Sequence, residues 1–143
     1  MAVRMPSSAD VAAARQLLAS AGASPPNGYK EQPLIYARET VILSETFPNR
    51  VKTFVQALRI GDLGIATYPG EAFVEMGLEL KSKSPFKPTM LIELANDYRG
   101  YIPTVEGHEQ GGYETWRAKS SYLEKTAAPK FVASALRQLK SLA

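Results

Sequence analysis

Residues 51–80 read VKTFVQALRI GDLGIATYPG EAFVEMGLEL, and this stretch decides the architecture. Val51 to Ile60 is rich in β-branched and apolar residues, Gly61-Asp62 interrupts it, and Leu63 to Tyr68 resumes it. That is the pattern of two strands joined by a tight turn. Pro69-Gly70 then turns the chain, with Gly70 expected to supply the positive φ of a type II turn. Phe73, Met76, Gly77 and Leu80 recur at helical spacing, with Val74 and Leu78 beside them, so a helix follows at once. Glu71 is expected in its first turn, where the helix dipole favours a carboxylate.

The flanks extend this pattern in both directions. Downstream, Ser84-Pro85-Phe86-Lys87-Pro88 breaks the helix and Thr89 to Ala95 reads as a third strand. Asn96 to about Leu123 has no clear period. It carries Tyr98, Tyr101, Tyr113, Trp116 and Tyr122, a composition foreign to disordered linkers, so it is expected to be ordered against something. A last helix presents Val132, Ala135, Leu136, Leu139 and Leu142, with Pro129 in its first turn and Arg137 and Lys140 toward its C-terminal end. Upstream, Tyr36 to Glu45 is rich in Val, Ile, Thr and Tyr and reads as a strand. Ser24-Pro25-Pro26-Asn27-Gly28 reads as a loop or linker, and Ser7 to Ala21 as a helix capped by Ser8 or Asp10. The fold class expected is α/β (α+β): a mostly antiparallel mixed sheet with helices packed on it and one crossover, in a single domain. Within it, 1–28 forms an N-terminal helix and linker and 29–143 the body.

Composition narrows the function classes. The chain has 143 residues, 17 Lys+Arg against 14 Asp+Glu, and 45% hydrophobic residues, the profile of one globular domain. It contains no Cys and one His, which excludes disulfides, thiolate sites and any single-chain site needing two imidazoles. The basic residues are scattered and interleaved with acids, unlike a nucleic-acid-binding stripe. No apolar run approaches the ~18 residues of a membrane span. Asp10 and Arg15 interrupt any signal-peptide core, so the cytoplasm is the compartment expected.

Three clusters carry groups with chemistry. Tyr68-Pro69-Gly70-Glu71 brings an oriented carboxylate to a strand end; it is either a metal ligand or a helix-terminus acid. Leu94-Ala95-Asn96-Asp97-Tyr98-Arg99-Gly100-Tyr101-Ile102-Pro103 delivers two tyrosines beyond a strand, where sheets place ligands; alternatively they cover the core edge with their hydroxyls in water. Gly107-His108-Glu109-Gln110-Gly111-Gly112-Tyr113-Glu114 holds the lone His beside two carboxylates. No Gly-Lys-Ser/Thr follows, which excludes a phosphate-binding P-loop.

Five phrases occur in a telling order: Ala37-Arg38-Glu39-Thr40, Gln56-Ala57-Leu58-Arg59-Ile60-Gly61-Asp62, Pro69-Gly70-Glu71-Ala72-Phe73, Gly100-Tyr101-Ile102-Pro103-Thr104 and Gly112-Tyr113-Glu114. From about Tyr36 onward the chain resembles the C-terminal part of the catalytic domain of neutral/alkaline (non-lysosomal) ceramidase-like proteins, especially bacterial relatives. In that family zinc, held by two His, one Glu and one Tyr, activates water to cleave an amide. The resemblance implies Glu71 and Tyr101 as metal ligands and Tyr113 as the catalytic phenol that hydrogen-bonds the substrate carbonyl. It implies zinc as cofactor and a lipid or other N-acyl amide as substrate. The family's two His ligands precede the matched phrases, and His108 sits in the wrong phrase to replace either. The expectation is therefore a fragment or divergent relative of the amidohydrolase, not competent alone. A non-catalytic binding or assembly module is the alternative. Either way, self-association into a homo-oligomer or pairing with a complementing chain is expected.

Overall fold

A computed structural model describes residues 1–21 and 32–143. The predicted loop at Ser24 to Gly28, and with it the boundary at 28, lies outside the described residues. The fold is α+β with a mixed sheet, as the sequence indicates. Helix α1 spans Ser8–Ser20 and α2 Gln32–Thr46; strands β1 (Gln56–Ile60), β2 (Leu63–Thr67) and β3 (Glu71–Ala72) follow. Helix α3 (Val74–Lys83) leads to β4 (Thr89–Ile92), β5 (Tyr101–Ile102), the short α4 (Val105–Gln110) and the long α5 (Ala127–Leu142).

The hairpin forms where the turn signal places it. Strands β1 and β2 pair antiparallel, with Ile60 opposite Leu63, and Gly61 takes the positive φ of 58° that closes the turn. Helix α3 then crosses over and returns the chain as β4, parallel to β2, giving the order β1-β2-β4. Helices α3 and α5 cover one face of this sheet. Helix α5 contributes Phe131, Val132, Ala135 and Leu139, all essentially buried at helical spacing. Full burial of a side chain such as Leu139 contributes roughly 1.5–3 kcal/mol. Phe131 lies against Tyr68 with ring centroids 5.8 Å apart, which anchors the strand that leads to Glu71.

Four local expectations are corrected. Residues 36–45 are not a strand but the body of α2. Leu43 of that helix is fully buried in the core, and the helix packs along α1, so tertiary burial outweighs the strand propensity of Thr40, Val41 and Ile42. The first strand begins at Gln56 and not at Val51. The third ends at Ile92, because Leu94 and Asn96 adopt positive φ of 53° and 68° that no strand tolerates. Helix α1 is capped by Ser7: its hydroxyl accepts from the Asp10 N–H, and the Asp10 carboxylate accepts from the Ser7 N–H.

The long segment after Asn96 is ordered, and the N-terminal residues help to order it. Val3 bridges to Leu123, and the Arg4 guanidinium donates to the carbonyls of Thr115 at 2.8 Å and Ser121 at 2.6 Å. Burial and the nearby Arg117 lower the Arg4 pKa to about 10.

A candidate carboxylate–phenol half-site

The site is built on two very short strands. Strand β3 pairs parallel with β5 so that Glu71 is the register partner of Tyr101, and register partners project from the same face of a sheet. The pairing demands unusual backbone proximity. The Glu71 N–H donates to the Gly100 carbonyl at 2.9 Å, and the Tyr101 N–H donates to the Ser120 carbonyl at 2.8 Å. A Cβ on Gly70 would sit 2.3 Å from the Gly100 carbonyl oxygen, and one on Gly100 would sit 2.2 Å from that of Ser120.

Two readings of Pro69-Gly70-Glu71 change accordingly. Gly70 is not among the positive-φ residues; glycine is required there for close approach, not for a left-handed turn. Glu71 lies in β3 and not in a helical turn, since α3 begins at Val74 with Phe73 as its N-cap. Its carboxylate is therefore aimed by the strand pairing and not by a helix dipole.

Two further phenols meet this pair. The Tyr113 ring stands edge-on to Tyr101, with centroids 5.6 Å apart and planes at 88°. Tyr113 sits in a single 3-10 turn whose N-cap, Gly112, has a φ of 109°, and the residue is 57% exposed. The neighbouring Tyr113 hydroxyl, burial and the negative charge of Glu71 hold the Tyr101 phenol well above its ordinary range, so it is a firmly protonated donor. Tyr98, one of the two tyrosines noted beyond the strand, gains a partner that the sequence does not show. Its hydroxyl donates to Glu71 Oε1 at 3.3 Å, and burial together with Glu71 raises its pKa. No local pattern could have found that contact, because the partners are 27 residues apart and meet only through the β3–β5 pairing.

His108 is not part of this cluster's chemistry. It lies in α4, where Thr104 caps the helix through the Gly107 N–H and Gly107 packs under the Phe73 ring. Burial, Arg4 and Lys125 push its pKa down to about 4. Two cations beside a neutral imidazole disfavour a metal ion there. The folded pKa lies below the unfolded value, so the stability linked to it is complete above about pH 6.5 and is lost as pH falls toward 4. Discounted for partial exposure, the loss between pH 7 and about pH 4.5 is roughly 1–2 kcal/mol. Urea unfolding at both pH values should show this loss in the parent and a clearly smaller one in His108→Gln. Comparison with His108→Gln cancels what Glu124, held low by Lys130, and Asp10, held low by the Ser7 N–H, lose near pH 4.5. An identical pH slope in both proteins would remove His108 from the account.

As a zinc site the set is half complete. Glu71 and Tyr101 offer two oxygen donors, whereas zinc takes four ligands and prefers nitrogen or sulfur beside oxygen. Among the described residues no group of three or more His, Cys, Asp or Glu could hold a metal ion. Nor does any described helix have the length and apolarity to cross a membrane. Compared with protein-family models, curated proteins and solved structures, the chain matches none.

Proposed function

We propose that the chain carries half of the active site of a zinc-dependent ceramidase-like amidohydrolase and is not competent by itself. The single observation that supports this reading is the register pairing of Glu71 with Tyr101, with Tyr113 edge-on to the latter. Residues implied as two ligands and an oxyanion donor by resemblance are thereby neighbours in space. Zinc, when bound, supplies Lewis-acid polarisation of the scissile carbonyl and acidifies water. The chain's own contributions are a carboxylate held by Tyr98, a protonated phenol at Tyr101, and at Tyr113 an exposed phenol that donates to the carbonyl oxygen as charge develops on it. The remaining donors come from outside the described residues, and the substrate is a lipid or other N-acyl amide.

Hydrolysis of an N-acyl amide, assayed with zinc and with free imidazole standing in for the missing donors, tests this. Tyr113→Phe and Glu71→Ala should each lower the zinc-dependent rate by about 100-fold or more, the usual cost of removing an oxyanion donor or a ligand, while His108→Ala leaves it unchanged. Equal tolerance of all three substitutions would end the assignment.

A second reading, a binding or assembly module that self-associates or pairs with another chain, is supported by a different observation. Leu58, Ile60, Met90 and Ile92 are large apolar side chains left exposed on the outer strands of one sheet.

A further inference from the structure

Helices pack on one side of the three-stranded sheet; on the other, the outer strands β1 and β4 are exposed while Ile65 and Thr67 of central β2 are buried. Ala57, Ala66 and Leu91, register partners across β1, β2 and β4, face the core under α3 and α5. The opposite face is built from the alternate residues. One row is Gln56, Thr67 and Ile92, the next is Leu58, Ile65 and Met90, and the third is Ile60 with Leu63. Not one of these eight side chains is charged. Ile60 is 66% exposed, Met90 47% and Leu58 45%.

The acceptors of the polar members of the face are engaged within the chain. The Asn96 side-chain amide donates to Gln56 Oε1 at 3.2 Å and to Thr67 Oγ1 at 3.5 Å. Arg59, the one cation of β1, turns to the other side, over the Phe86 ring and onto the Leu142 carbonyl. Covering the face therefore desolvates no charge.

We infer that this face is covered by the same face of a second copy, forming a two-fold sheet-on-sheet dimer. Two properties select the second copy. A two-fold contact sets a patch against itself, so any charge on it would meet its own like, and this patch has none. The exposed parts of Gln56, Leu58, Ile60, Leu63, Met90 and Ile92 amount to on the order of 450 Å² per copy, about 900 Å² for the pair, at the low end of specific interfaces. An interface of that size belongs to the weak, reversible class and not to obligate dimers. The inference rests on the assembly reading above, names its partner, and does not depend on zinc.

Sedimentation velocity of the full chain from about 1 µM to about 1 mM, with chelator present, tests it. The parent should pass from monomer to dimer within that range. Ile60→Lys and Met90→Lys should each raise the dissociation constant by at least ~100-fold, because each buries an unpaired charge in the interface. Leu58→Gln should act in the same direction without adding charge. Leu78→Lys, at an exposed position on α3 away from the face, should change nothing. A parent that stays monomeric throughout would overturn self-association itself. A dimer insensitive to all three face substitutions would overturn the surface while leaving self-association standing.

Discussion

Gly100→Ala is expected to destabilise the fold by roughly 3–5 kcal/mol, at the upper end of single-substitution effects. Two penalties combine at this residue. Its φ of 72° is a conformation that a Cβ disfavours. The added carbon would also lie 2.2 Å from the Ser120 carbonyl oxygen, a backbone atom that already accepts the Tyr101 N–H and so cannot withdraw without breaking that bond. Gly61→Ala is the matching control. That residue has a similar φ of 58° but nothing within 4 Å of the added carbon. It should cost only about 1 kcal/mol, the conformational penalty alone. Urea unfolding of the two variants beside the parent separates strain from collision. Equal losses would mean that the backbones around Glu71 and Tyr101 are not pressed together, and the half-site would lose its frame.

What the sequence disclosed follows the length and regularity of each element. The hairpin was legible because Gly61-Asp62 punctuates two apolar runs, and α3 and α5 because their apolar residues repeat over two or more turns. Helix α2 was not, because Thr40, Val41 and Ile42 favour a strand locally. Only the burial of Leu43 and the contact with α1 decide otherwise, and both lie outside any local window. Strands β3 and β5 are two residues each, too short to show a period, yet their pairing is what brings Glu71 to Tyr101.

The site was legible as residue types and not as geometry. Glu71, Tyr101 and Tyr113 are singled out together by the resemblance, and the structure makes Glu71 and Tyr101 register partners with the Tyr113 ring against Tyr101. Gly70 was misread because a Pro-Gly pair has two physical uses, a left-handed turn and close backbone approach, and sequence cannot separate them. The two readings of Tyr98, at a ligand position or covering the core edge, could not be separated in sequence because its partner Glu71 lies on another element. His108 drew notice as the one imidazole, but Arg4, from the far end of the sequence, helps to determine its protonation.

The central claim is that Glu71 and Tyr101 are two ligands of a zinc site completed from elsewhere, and the protonation of Tyr101 gives it a direct reporter. Tyr113, burial and Glu71 keep that phenol protonated well past neutral pH, so it does not ionise near pH 7.5 in the absence of a cation. A coordinated metal inverts this balance and takes the proton off. Zinc added in imidazole buffer at about pH 7.5 should therefore produce the tyrosinate difference absorbance, saturating at one tyrosinate per chain. Tyr101→Phe should abolish it and Glu71→Gln should all but abolish it. Tyr98→Phe, which frees the Glu71 carboxylate, should raise the zinc concentration required by roughly 10-fold, as loss of a ligand's supporting hydrogen bond does. His108→Ala should leave the signal intact. No tyrosinate at any zinc concentration, or a signal that survives Tyr101→Phe, would contradict the half-site outright.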